Sequence, residues 1–161
     1  MSFSNYLNKM NSHKIEINSK LEFWKKIKEH GSKGEQITRS FLRKYNVSFK
    51  EQKTFNDLYY KNKEHLLRFD FQIFFNETDW FLCEIDGLQH FKPSSFGSHL
   101  TEQEIQKNFE EGQERDNLKN EYCQNHNIML ERIIWDGNKD KLIKNLTIMI
   151  RKYKKINPSK I

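Results

Sequence analysis

The chain has little cysteine, proline or glycine, and no long apolar run. Cys83 and Cys123 are its only 2 cysteines; their separation offers no zinc-ligand pattern, and two free thiols in a reducing compartment are expected instead of a disulfide framework. Only 2 Pro and 6 Gly argue against long flexible linkers. No apolar stretch approaches the roughly 18 residues that a membrane span needs. The opening segment, MSFSNYLNKMNSHK, lacks the apolar core of a secretory signal. The expectation is a soluble, intracellular protein with no membrane partner.

Aliphatic residues are scarce as well, and mean hydropathy is −0.94. The shortage is offset by 13 Phe, 6 Tyr and 3 Trp among 161 residues, enough aromatic area for one buried core. The net charge of +6 favours polyanions. An Asn- and Lys-rich chain drawn from a biased genome would carry the same charge, so the partner has to be read from a site.

Residues 1–17 are polar and are expected to form a flexible arm; residues 18–153 form a single domain, and 154–161 a basic tail. Ser19 and Glu22 make a capping-box pattern ahead of Leu21, Trp24 and Ile27 at helical spacing. A second box, Ser32 to Glu35, opens a helix with Ile37, Phe41, Leu42 and Tyr45 on one face. Residues 47–55 read as a strand. Leu67, Phe69, Phe71, Ile73 and Phe75 then alternate with polar residues, a two-residue period. NETD supplies a turn, and Trp80 to Ile85 returns. The segment from Thr101 to about Asn125 is helical, with a break expected near Gly112. Ile128 to Trp135 is a further strand. The last helix stripes Leu142, Ile143, Leu146, Met149, Ile150 and Tyr153 on one face. The order α-α-β-β-β-α-β-α describes an α/β domain, a mixed sheet flanked by helices.

The stretch RFDFQIFFNETDWFLCEIDGLQH, Arg68 to His90, carries the chemistry. It sets Asp70 on one strand and Glu84 with Asp86 on the next. Carboxylates held close together repel and resist desolvation, so the grouping points to a bound cation between them. Mg²⁺ takes hard oxygen ligands and keeps several waters. For Asp70 to oppose Glu84, the hairpin needs an odd-length loop or a bulge. Taken alone, Asp70 reads first as an exposed strand-face acid paired with Arg68; the second strand, ending in EIDGLQH, turns the reading toward a site. Gly87 permits a sharp turn that returns His90 toward the acids, where it could orient water or protonate a leaving oxygen. Glu35 has a structural role available in its capping box, yet lies at the edge of the apolar stripe and could reach the site. Asp116 reads as a helix-surface salt-bridge acid or as a site residue. Gln89, Lys92, Arg115 and Lys119 read as phosphate contacts or as a solvated face.

Four blocks in order, GEQITRSFL, LRFDFQI, LCEIDGLQHF and ERDNLKNEYCQNHNIMLERI, resemble the PD-(D/E)XK nuclease superfamily. The nearer likeness is to its branch of very-short-patch-repair and EDxHD homing endonucleases. The resemblance spans roughly residues 32 to 136. It implies a restriction-endonuclease-like fold and Mg²⁺-dependent hydrolysis of DNA phosphodiesters, with Mn²⁺ as a substitute metal. It places Glu35 in the first helix, makes Asp70 the strand aspartate and Glu84 the first acid of the second motif, and counts Ile85 with them at the metal. His90 and Asp116 match the histidine and aspartate that follow in this branch. Asp86 stands where the superfamily usually has lysine, so the general base is assigned to His90, with Lys53 or Lys92 as stand-ins.

The expectation is a metal-dependent endodeoxyribonuclease acting on DNA, as a homodimer or with a separate specificity partner where both strands or a defined sequence are to be cut. Two readings stand beside it: a catalytically silent nucleic-acid-binding module of the same fold, and an RNA-directed nuclease.

Overall fold

A computed structural model describes residues 31–61, 65–94 and 100–156, the last three of these by backbone only. The predicted arm, the helix expected over Leu21, Trp24 and Ile27, and the tail from residue 157 lie outside them. Among the described residues the order is α1 (Lys33–Lys44), β1 (Ser48–Tyr60), β2 (His65–Phe74), β3 (Trp80–Gly87), a 3₁₀ turn (Leu88–His90), α2 (Glu102–Asn125), β4 (Leu130–Trp135) and α3 (Lys139–Ile156). This is the predicted succession from the second helix onward. The four strands form one mixed sheet in the order β1-β2-β3-β4. The first two pairings are antiparallel, and β3–β4 is parallel with α2 as the crossover. None of these helices is long and apolar enough to cross a membrane.

The hairpin meets the odd-loop requirement. Phe74 pairs with Trp80 and Phe71 with Cys83, while Phe75 N–H donates to the Asp79 carbonyl at 2.9 Å across a three-residue tip. Asn76 closes that tip, its Oδ1 accepting from Thr78 N–H at 2.9 Å and Asp79 N–H at 2.6 Å. The paired register stops at Phe71–Cys83, one step short of Asp70 and Glu84.

The alternation along β2 does not run unbroken. Phe71 and Ile73 join a core with Phe81, Cys83 and Ile85 under α1 and α3. Leu67 and Phe69 join Leu58, Tyr60, Leu82 and Cys123 on the α2 side. Residues two apart on a regular strand share a face, so the chain must bend between Phe69 and Phe71. The pairing of β1 with β2 holds at Glu51–Phe71 and Lys53–Phe69 and skips Gln52 and Asp70 between them. Gln52 has φ 52°, a left-handed conformation typical of such irregularities. Asp70 therefore sits at the bend. The outer parts of β1 and β2 form an arm that folds over α2, tied by Tyr60 to Glu114 at 2.9 Å and by Tyr122 to Asp57 at 2.8 Å.

Two expectations for the helices hold, the apolar stripe of α3 and the cap of α1. Leu142, Leu146, Met149, Ile150 and Tyr153 are all buried against the sheet. The Ser32–Glu35 box forms in both directions. Helix α2, in contrast, runs unbroken through Gly112, and β1 continues five residues past the predicted Phe55 to Tyr60. Phe69, Phe71 and Phe81 are fully buried; each contributes about 1.5–3 kcal/mol, and together they fix the strands that carry the acids.

Candidate active site

Along β3, Leu82 N–H donates to the Met129 carbonyl on the β4 side at 2.9 Å. Successive N–H groups of a strand alternate in direction, so Ile85 N–H faces β2. Its acceptor is Asp70 Oδ2, at 2.8 Å. The backbone ladder between β2 and β3 ends at Phe71–Cys83, and the Asp70 carboxylate takes over where the strands part. Burial pushes the Asp70 carboxyl up to about 6, opposed by the Ile85 hydrogen bond and reinforced by the Glu35 charge.

Glu84 is 3% exposed. Burial, then the charge of Asp70, push its carboxyl up to about 7 in spite of Lys119, whose Nζ lies 2.9 Å from Oε1. Lys119 projects from α2 with its side chain 12% exposed and its ammonium 5.3 Å from the centre of the Phe69 ring. Asp70 thus disfavours the Glu84 charge, while Glu35 and Asp86 disfavour that of Asp70, at one end of a part-buried lysine. Excess negative charge of this kind is what a cation relieves.

Asp86 is equally buried but differently engaged. Arg132 on β4 grips it bidentately, Nε to Oδ2 at 2.7 Å and Nη2 to Oδ1 at 3.1 Å. The same guanidinium bonds Asp116 Oδ1 at 2.6 Å and Asn120 Oδ1 at 2.9 Å. Asp116 Oδ2 in turn meets His90 Nδ1 at 2.7 Å. This chain, Asp86–Arg132–Asp116–His90, joins β3, β4, α2 and the 3₁₀ turn. Burial works against the Asp116 charge, but His90 and Arg132 together hold its carboxyl below the usual range. The Asp116 hydrogen bond raises the His90 imidazolium above its ordinary pKa despite partial burial. The Gln113 amide holds the His90 carbonyl.

No protein-family model, curated protein or solved structure matches this chain.

The remaining sequence-predicted residues divide by position. Glu35 caps α1, its Oε1 accepting from Ser32 N–H at 2.9 Å, while its charge is felt at Asp70. Gly34 explains how the helix comes so near. A Cβ there would lie 2.7 Å from Ile85 Cγ2 and 3.0 Å from Trp135 Cγ, so only glycine lets α1 sit on β3 and β4 at this point. Lys119, expected among the phosphate contacts, is bound to Glu84. Arg115 instead lies over the Tyr60 ring at 5.2 Å. Gln89, within the 3₁₀ turn, and Lys92, just past it, are both exposed. Lys53, an alternative base, places its ammonium 4.5 Å from the centre of the Phe55 ring.

Arg132 was not expected. It stands opposite Glu84 in the parallel register, and the available signal was a lone cation inside the apolar strand LERIIW. Among the described residues no group of three or more His, Cys, Asp or Glu is arranged to hold a metal. The donor set nonetheless fits Mg²⁺ in its usual manner, one or two carboxylates with the other positions left to water and substrate oxygen. Asp70 and Glu84 would supply the carboxylates.

Proposed function

We propose that the chain is a metal-dependent endodeoxyribonuclease of the PD-(D/E)XK type with a restriction-endonuclease-like fold. The observation that carries this reading is the pair of part-buried Asp70 and buried Glu84 on adjacent strands, with carboxyls pushed up to about 6 and about 7 chiefly by burial and, at Glu84, next by the charge of Asp70. Support also comes from the element order, from the four sequence blocks, and from a histidine and lysine beside the acids.

Asp70, Glu84 and the Ile85 carbonyl would hold Mg²⁺, or Mn²⁺ in its place. Such an ion, when bound, polarises a phosphodiester and lowers the pKa of its water. The chain's own residues account for the rest. Lys119, fixed between Glu84 and the Phe69 ring, supplies the positive charge that the usual motif lysine would carry from the Asp86 position. It neutralises charge developing on the phosphate. His90 has its Nδ1 occupied by Asp116, which leaves Nε2 for proton transfer, and its raised pKa suits it to protonate the leaving oxygen. Asp86 gives both oxygens to Arg132 and so acts as a positioning residue: it anchors the arginine that holds Asp116 against His90. Glu35 adds negative charge near Asp70 from the α1 cap.

The test is cleavage of supercoiled plasmid with Mg²⁺, Mn²⁺ or EDTA, with Glu84→Ala in parallel. Nicking or linearisation that needs metal and Glu84 supports the assignment; cleavage that survives in EDTA or in the variant rejects it. The silent binding module has one observation in its favour, since Lys119 already neutralises Glu84 at 2.9 Å. It predicts DNA binding without cleavage under any divalent metal.

A further inference from the structure

The arm of β1 and β2 and the helix α2 enclose a groove of about 660 Å³. Its walls carry Lys61, Arg68, Arg115 and Lys119 against Glu111 and Asp116, four cations to two carboxylates. His90 also lines it, so its inner end reaches the His90–Asp116 pair and Lys119, the partner of Glu84. The walls are preorganised. Lys61 Nζ bonds Glu111 Oε1 at 2.6 Å, Tyr60 bonds Glu114 at 2.9 Å, and Glu111 lies 4.0 Å from Arg115. The one phenyl ring among the described lining residues, Tyr60, is 7% exposed and lies beneath Lys61 and Arg115 at 5.0 and 5.2 Å; the other rings are the imidazoles of His65 and His90. A groove with four guanidinium or ammonium groups and no exposed phenyl or indole ring among its described lining residues suits phosphates better than stacked bases.

Gly112 supplies a second, independent observation. It lies within α2, where glycine costs about 1 kcal/mol relative to alanine. Packing does not demand it: the nearest atom to an added Cβ is Arg115 Nη2, 3.8 Å away. A neighbouring hollow of about 390 Å³ lies past α2, and His90, Gly112 and Arg115 line both. The two hollows adjoin across the helix at the one position without a side chain.

We infer that the backbone of one DNA strand lies in this groove and crosses α2 at Gly112, with Arg68 and Arg115 contacting phosphates that flank the site. The inference rests on the nuclease reading for its choice of DNA, but its test does not depend on cleavage. Binding of fluorescein-labelled single-stranded DNA, duplex DNA and single-stranded RNA is followed by anisotropy in EDTA between about 50 and 200 mM salt. The variants are Arg68→Ala/Arg115→Ala, Gly112→Ala and Gly112→Trp, each checked for folding by circular dichroism. Lys44→Ala/Lys139→Ala, on the face of α1 and α3, removes the same charge elsewhere.

The arginine pair should flatten the single-strand salt slope by about 1.4, at about 0.7 per lost phosphate contact. Gly112→Ala should bind as the wild type does, Gly112→Trp should lose at least tenfold in affinity, and the lysine control should keep the wild-type slope. A wild-type slope in the arginine variant, undiminished binding in Gly112→Trp, no binding by the wild type, or tighter binding of RNA than DNA would overturn the inference. Groove-dependent binding without metal-dependent cleavage would uphold the groove and remove the nuclease. Cleavage with groove-independent binding would do the reverse.

Discussion

Glu84→Gln removes a charge while keeping the shape, and its effect on stability should depend on pH in a defined way. A carboxyl whose folded-state pKa exceeds its unfolded value holds its proton more tightly when folded. Glu84 is raised from 4.5 to about 7, chiefly by burial and then by Asp70. Below pH 4.5 the side chain is neutral folded or unfolded, and the variant should match the wild type. As pH rises toward 7 the unfolded chain ionises freely and the folded one resists, so wild-type stability falls through this window. The full difference corresponds to about 3 kcal/mol at ~1.4 kcal/mol per pH unit. Above pH 7 the glutamine variant should therefore be more stable by that amount, or about 6–12 °C in melting temperature for a domain of this size. Thermal melts in EDTA from pH 4.5 to 8.5 measure it. Lys119 loses a partner in the variant but keeps an amide oxygen as acceptor and Asp70 as a nearby charge. Mg²⁺ should then narrow the gap by stabilising the wild type alone. A gap that is constant with pH, or a variant less stable above pH 7, would refute the claim that repulsion and burial dominate at Glu84.

Three further outcomes follow from the same geometry. Arg132→Met leaves buried Asp86 without its bidentate partner and should cost about 3–5 kcal/mol in urea unfolding; a loss under 1 kcal/mol would deny the arginine its anchoring role. Gly34→Ala should destabilise by about 1–3 kcal/mol, because its Cβ would meet Ile85 at 2.7 Å, and a neutral result would mean that α1 can shift without consequence. Asp116→Asn should lower the His90 pKa, since the Asp116 hydrogen bond is the largest cause of its elevation; NMR titration of the imidazole with no downward movement would break the proposed relay.

The hairpin was legible because side-chain alternation and turn residues both lie close in sequence. Counting residues between Asp70 and Glu84 was enough to demand an odd loop, and Asn76 builds one. The bend at Asp70 was not legible. The period from Leu67 to Phe75 looks continuous, and only the left-handed Gln52 on the neighbouring strand betrays the reversal of faces. Lys119 and Asp116 stand three apart and share a helix face. Sequence alone could not tell whether that face met solvent or the sheet, so both stayed between a surface and a site reading. Arg132 needed the parallel register of β3 with β4, a long-range pairing that no local pattern encodes. The break expected in α2 did not occur, since one glycine costs a helix of this length too little to end it.

The central claim is that Asp70 and Glu84 form a metal-dependent site for cutting DNA. Its most direct test is cleavage of an end-labelled DNA duplex and a matched RNA by the wild type, Asp70→Asn and Glu84→Gln, with Mg²⁺ or EDTA. Cleavage of DNA by the wild type alone, and only with metal, is the expected result. Cleavage persisting in EDTA or in either variant, or confined to the RNA, would contradict it.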